Sequence, residues 1–104
     1  MKRMLKSQRR AQILAVAYDI AVKQGYQVIT RDKVAEQAAI SVGLVNLVFK
    51  TMDHLRRAVM LKAVDHQSLP IIAAGICRNC RVAHSAPNEL KEAAMAWFLR
   101  NGGK

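Results

Sequence analysis

Cys77-Arg78-Asn79-Cys80, followed by His84, is the segment of this chain whose residue types most resemble a reactive site. The spacing C-x2-C-x3-H admits three chemistries. Two thiolates and an imidazole are zinc ligands. A second Cys-x-x-Cys is missing, however, and a fourth ligand would have to be His66 or come from a partner. Arg78 and Arg81 would lower the pKa of a neighbouring thiol and so favour redox sensing. On one continuous helix, Cys77 and Cys80 share a side with Ile72 and Ile76, where cysteine serves as a small apolar filler. Packing is the expectation, with no metal or cofactor; the other two readings stay open. Nothing else suggests an enzyme. The chain has no Ser-His-Asp set, glycine-rich phosphate loop or paired carboxylates. Glu89 and Glu92 belong to a surface helix. His54 is expected on an exposed helical turn, and His66 near a helix C-terminus, where its charge suits the dipole.

The stronger chemical signal is charge. Lys and Arg number 17 against 7 Asp and Glu, a formal net charge of +10 on 104 residues. Such an excess points to a polyanionic partner. Lys2, Arg3, Lys6, Arg9 and Arg10 form a cluster with no acid among them. It reads either as an arm along phosphates or as a solvated tail. The apolar fraction of 52% suffices for one packed domain, and with aromatics at 5% that core must be aliphatic. No apolar run approaches the roughly 20 residues of a membrane span. No h-region or cleavage site marks a secretory signal, and two cysteines are no disulfide scaffold. A soluble cytoplasmic protein with reduced thiols is the expectation.

The elements that must position these groups are all helical. Ile13, Leu14, Ala17, Tyr18, Ile20 and Ala21 recur at helical spacing and predict a first helix over 7–24. Gly25 supplies a left-handed residue that stops it, and Tyr26 and Val28 fold back onto the core. Thr30 is an N-cap for a short second helix ending near 39, with Asp32 in its first turn. Residues 39–41 form a turn, and Ser41 caps a third helix over 42–50, anchored by Val45 and Phe49. Gly43, costly inside a helix, suggests close backbone approach to helix 2 or to a phosphate. Thr51 caps a fourth helix, with Met52, Leu55, Val59, Ala63 and His66 on one face, ending near 68 before Leu69-Pro70. Leu69, Ile72, Ala73, Ile76 and Cys80 predict a fifth helix. A sixth starts at Ser85-Ala-Pro-Asn-Glu, with Pro87 near its first position. It carries Leu90, Ala93, Ala94, Trp97 and Phe98 as a stripe and stops at Asn101-Gly-Gly.

Arg10, Ile13-Leu14, Ala17, Gly25-Tyr26, Thr30, Val34-Ala35, Ala38, Ser41, Gly43, Val45, Phe49 and Leu55 fall in an order and spacing that resembles the TetR-type transcriptional regulators. The resemblance covers roughly the first sixty residues. It implies a three-helix DNA-binding head with helix 3 as recognition helix, a connecting helix, dimerisation through C-terminal helices, and binding to pseudo-palindromic operators. The fold class expected is therefore all-α: a helix-turn-helix head over 1–66 with a basic arm over 1–10, and a C-terminal helical hairpin for dimerisation over 67–104.

Elementary physics agrees with that placement. A helix fits the major groove of B-DNA, where each base pair shows its own donor and acceptor pattern. Helix N-termini attract phosphate. Thr30, Ser41 and Gly43 at the helix starts, Arg31, Lys33 and Lys50 beside them, and Lys2, Arg3, Lys6, Arg9 and Arg10 are the expected phosphate contacts. The family pattern Ser-Lys-Gly-Thr-Leu-Tyr-x-His-Phe is here Ser41-Val42-Gly43-Leu44-Val45-Asn46-Leu47-Val48-Phe49. The usual lysine, threonine, tyrosine and histidine positions hold Val42, Leu44, Asn46 and Val48. Asn46 is the one strong base-edge group, suited to adenine, with Leu44, Leu47 and Val42 as apolar contacts to thymine methyls. Direct readout is then weak, and phosphates supply most of the affinity. The same apolar arc has a second reading as a protein interface. In a third, helix 3 is rotated so that Leu44 or Leu47 is core.

Segment 67–104 is too short to wall an effector cavity of roughly 300–1,000 Å³, so no small-molecule inducer is expected. Ile72, Ile76, Leu90, Met95, Trp97 and Phe98 offer more apolar surface than two short helices bury alone. A homodimer about a two-fold axis covers it; packing within a monomer is the alternative. The function expected is a homodimeric, effector-independent repressor on double-stranded DNA.

Overall fold

The computed structural model describes residues 5–78 and 80–101. Lys2, Arg3, Asn79, Gly102 and Gly103 lie outside the described residues. Among the described residues seven α-helices follow one another: α1 (Lys6–Gln24), α2 (Arg31–Ala38), α3 (Val42–Val48), α4 (Met52–Asp65), α5 (Leu69–Cys77), α6 (Arg81–His84) and α7 (Asn88–Arg100). A 3-10 turn over Tyr26–Val28 joins α1 to α2. The chain is all-α, with no strand among the described residues. No helix among them is long and apolar enough to cross a membrane.

The helix starts follow local side-chain chemistry. Thr30 Oγ1 accepts the Lys33 backbone N–H at 3.2 Å, Ser41 Oγ that of Leu44 at 3.1 Å and Thr51 Oγ1 that of His54 at 3.1 Å. Each satisfies an amide that the helix leaves unpaired, worth about 1 kcal/mol. Between α2 and α3, Ala39 takes the left-handed conformation (φ 58°), and the Ile40 N–H reaches back to the Ala35 carbonyl at 3.0 Å.

The core is one continuous aliphatic cluster. Ile13, Ala17 and Ile20 of α1 meet Val34 and Ala35 of α2, Val45 of α3 and Phe49 behind it. Leu55, Val59, Met60 and Ala63 carry the cluster along α4 to Ile71, Ile72 and Ala73 of α5, then to Ala83 and Ala94. No polar or charged residue is buried among the described residues.

Several sequence expectations change in detail. Gly25 stops α1 at φ 118° and ψ 146°, an extended positive-φ conformation that glycine accepts instead of the left-handed helical one expected. Behind it, Tyr26 and Ile29 enter the core while Val28 is half-buried. α3 ends at Val48, because Phe49 turns extended (φ −116°, ψ 100°) to enter the core. α4 ends at Asp65, short of 68. Gln67 adopts φ 56°, and the Ser68 N–H closes on the Ala63 carbonyl at 2.8 Å. Leu69 is helical despite preceding proline, and Pro70 sits in the first turn of α5, where its missing N–H costs nothing. Pro87 is the N-cap of α7.

The largest correction concerns the fifth helix. Its stripe was expected to run through Cys80, but α5 ends at Cys77. The Arg78 N–H meets the carbonyls of Ala74 and Gly75 at 3.2 and 3.1 Å, and the Cys80 N–H returns to Gly75 at 2.8 Å. Cys80 is extended and restarts the chain as α6. The two cysteines therefore do not share a helix face. Cys77 is exposed and is no core filler; Cys80 is half-buried, and both thiols are free.

α5 passes close to α4 and α6 at Gly75. A Cβ on Gly75 would overlap the Met60 methyl and come within 2.8 Å of the Ala83 Cβ. Glycine is required there by the approach of its neighbours.

Candidate nucleic-acid interface

α3 is held by its inner side and leaves an outer arc free. Val45 and Phe49 are buried. Leu44 and Val48 are half-buried; Val42, Gly43, Asn46 and Leu47 are exposed. Leu47 is 68% exposed, which excludes the rotation that would make it core. Ser41's cap is the one side-chain hydrogen bond made by segment 41–49 among the described residues, so the Asn46 carboxamide is uncommitted. A Cβ at Gly43 would meet nothing nearer than the Ser41 Oγ at 3.8 Å. The close approach to helix 2 offered as one reason for this glycine is therefore absent.

Basic side chains occur at the start of α2 and at the far end of α3. At the start of α2, Thr30 and Lys33 are exposed and Arg31 is half-buried. Lys33 Nζ donates to Gln24 Oε1 at 3.3 Å. Arg31 Nε is enclosed, with no acceptor among the described residues. At the far end of α3, the Arg10 guanidinium lies 4.9 Å from the Phe49 ring centroid, a cation–π contact that ties α1 to the end of α3. Arg10 and Lys50 line one open depression together with Val48, His54 and Arg57. Arg9 hydrogen-bonds Gln12 at 2.6 Å, and Lys6 is exposed at the start of α1. The one ion pair among the described residues is Lys23–Asp19 at 3.3 Å. The cations around α3 are thus not neutralised from within.

The residues expected to dimerise divide. Ile72 is fully enclosed in the protomer, 0% exposed, and has no surface to offer a partner. Ile76, Leu90, Met95, Trp97 and Phe98 are half-buried along α5 and α7, which pack against each other. Leu99, not anticipated, is 75% exposed. Trp97 and Phe98 wall a depression with Pro70, Ala74 and Cys77. Among the described residues no three His, Cys, Asp or Glu side chains gather as a metal site would need, so Cys77, Cys80 and His84 do not form one. His66 caps α4, its ring 5.8 Å from that of Tyr18.

The sequence reading missed a second cationic surface. Arg56 and Arg57 of α4 face Arg78 and Arg81 across an open groove that also takes in Tyr26, Asp53, His54, Cys80 and Val82. The adjacent pair Arg56-Arg57 was the available signal, but only the tertiary approach of α6 to α4 joins it to the other two. Tyr26 forms the groove's inner wall. Burial, reinforced by Cys80 and opposed by Arg56 and Arg78, pushes its phenol up to about 12. It is therefore a neutral hydroxyl at physiological pH, and it donates a long hydrogen bond (3.5 Å) to the Arg56 carbonyl.

Comparison of the chain with protein-family models, with curated proteins and with solved structures finds no match.

Proposed function

We propose that this chain is a DNA-binding transcriptional regulator of helix-turn-helix type, acting as a homodimer and repressing by occlusion. One observation carries the reading: the outer arc of α3 has no internal use. Gly43 lacks a packing reason, the Asn46 carboxamide is free, Leu47 is 68% exposed, and Arg10 and Lys50 at the end of α3 have no ion-pair partner among the described residues. An arc of this kind suits a major groove, with Asn46 toward adenine, Val42, Leu44 and Leu47 toward thymine methyls, and the α2 and α3 starts on phosphates.

Dimerisation is assigned to the half-buried faces of α5 and α7, around Ile76, Leu90, Met95, Trp97 and Phe98, with Leu99 added and Ile72 removed. A two-fold dimer would place its recognition helices about 34–36 Å apart, one turn of DNA. The binding of both half-sites together would then convert non-specific attraction into operator recognition.

A salt titration of binding to a random duplex and to the chain's own upstream DNA tests this. The regulator binds both with a steep salt dependence and prefers the upstream fragment. The exposure of Leu47 and Val42 also favours a second reading, in which α3 docks on another regulator and operator recognition is lost. In that case the two fragments bind alike.

A further inference from the structure

A groove lies between α4 and α6, apart from the outer arc of α3. Its mouth is open and its volume is about 580 Å³. Four arginines line it: Arg56 and Arg57 of α4, Arg78 at the end of α5 and Arg81 of α6, the last two distant in sequence from the first two. None has an ion-pair partner among the described residues; Asp53, the one carboxylate in the lining, is not within 4.0 Å of any of them. None donates a side-chain hydrogen bond either, since the one arginine that does so among the described residues is Arg9. Each guanidinium keeps a planar fork of donors matched to the oxygens of a phosphate. Four like charges lining one groove with a single carboxylate, Asp53, beside them are a cost to the fold. An anion bearing several charges removes that cost and satisfies all four forks.

We propose that this groove binds phosphate groups in a row, that is, an oligophosphate. Two sources carry that chemistry: a free small oligophosphate, or the backbone of a nucleic acid. The groove suits the first by its concavity. It suits the second by continuity, because His54 and Arg57 also line the depression holding Arg10 and Lys50 at the foot of α3. A free oligophosphate would make the protein effector-responsive, contrary to the expectation from sequence. The site stands whether or not α3 reads DNA, because its ligand chemistry is set by the groove alone.

Sodium tripolyphosphate titrated into the full-length chain is the test, with binding followed by calorimetry. The variant is the pair Arg78→Gln and Arg81→Gln, both exposed and outside the core. The control is the pair Lys23→Gln and Arg100→Gln, both exposed, which removes the same charge elsewhere. The groove variant loses about tenfold or more in affinity, the scale of charge-assisted hydrogen bonds, and the control far less. Alkylation gives an independent readout. Tripolyphosphate shields Cys80, which lines this groove, and leaves exposed Cys77 reactive. Equal loss in the two variants, or equal shielding of the two thiols, overturns the proposal.

A random duplex then separates the sources. If the nucleic-acid backbone occupies the groove, the groove variant weakens duplex binding on every sequence and flattens the salt slope by about 2. If a free oligophosphate does, duplex binding is unchanged while tripolyphosphate binding is lost.

Discussion

Two glycines, Gly43 in α3 and Gly75 in α5, sit inside helices at positions where alanine would be the better helix former, and they mean opposite things. Around Gly75 there is no room: Met60 and Ala83 occupy the space of a side chain. Around Gly43 the space is open. The first glycine answers to the protein's interior, while the second has nothing inside to answer to. The contrast extends to the elements that carry them. α5 is spent on packing, with Ile71, Ile72, Ala73 and Gly75 all buried. α3 buries one residue within its span, Val45, and turns the rest partly or wholly outward. This sparing use of α3 by its own fold is what the proposed contact with DNA rests on.

Substitutions can break or sharpen this comparison. The largest effect is expected at Ile72. Truncation of this fully enclosed side chain to alanine costs about 2–5 kcal/mol in denaturant unfolding, through lost transfer energy and the cavity left behind. If Ile72 were instead a dimer contact, the loss would depend on protein concentration. Gly75→Ala comes next. The added methyl must displace Ala83 as well as the flexible end of Met60, and overpacking of this kind costs about 1–3 kcal/mol.

Asn46→Ala is expected to leave stability nearly unchanged, because its side chain is exposed. It lowers the preference for the upstream duplex over a random one by about 1–3 kcal/mol, one bidentate base contact. Gly43→Ala is the smallest in energy and the most telling in sign. With no clash to meet, alanine stabilises α3 by about 0.5–1 kcal/mol in thermal unfolding. The same methyl stands where a phosphate is proposed to approach the backbone, so duplex binding weakens as stability rises. Should both improve together, Gly43 has no part in contact with DNA.

What could be read from the sequence follows the range of the interactions. Thr30, Ser41 and Thr51 were legible as caps because each cap is made with an amide three residues on. Val45 and Phe49 were legible as anchors because their spacing declares one helix face. The break after Cys77 was not, since Cys80 keeps the apolar period of the stripe while the backbone turns beneath it. Gly75 drew no notice because its reason lies on Met60 and Ala83, in other helices. The arginine groove escaped for the same cause: Arg56 and Arg57 become neighbours of Arg78 and Arg81 only when α6 returns to α4. The open arc of α3 was legible in outline, because the segment from Gln37 to Phe49 holds no charged side chain and yet could not all be core.

Backbone amide NMR of the full-length chain, titrated with a random-sequence duplex at low salt, tests the central claim most directly. The account predicts shifts concentrated on 41–47 and on Thr30, Arg31, Lys33 and Lys50, reversed by added salt. Shifts confined to α5 and α7, with Gly43, Asn46 and Leu47 unmoved, would contradict it.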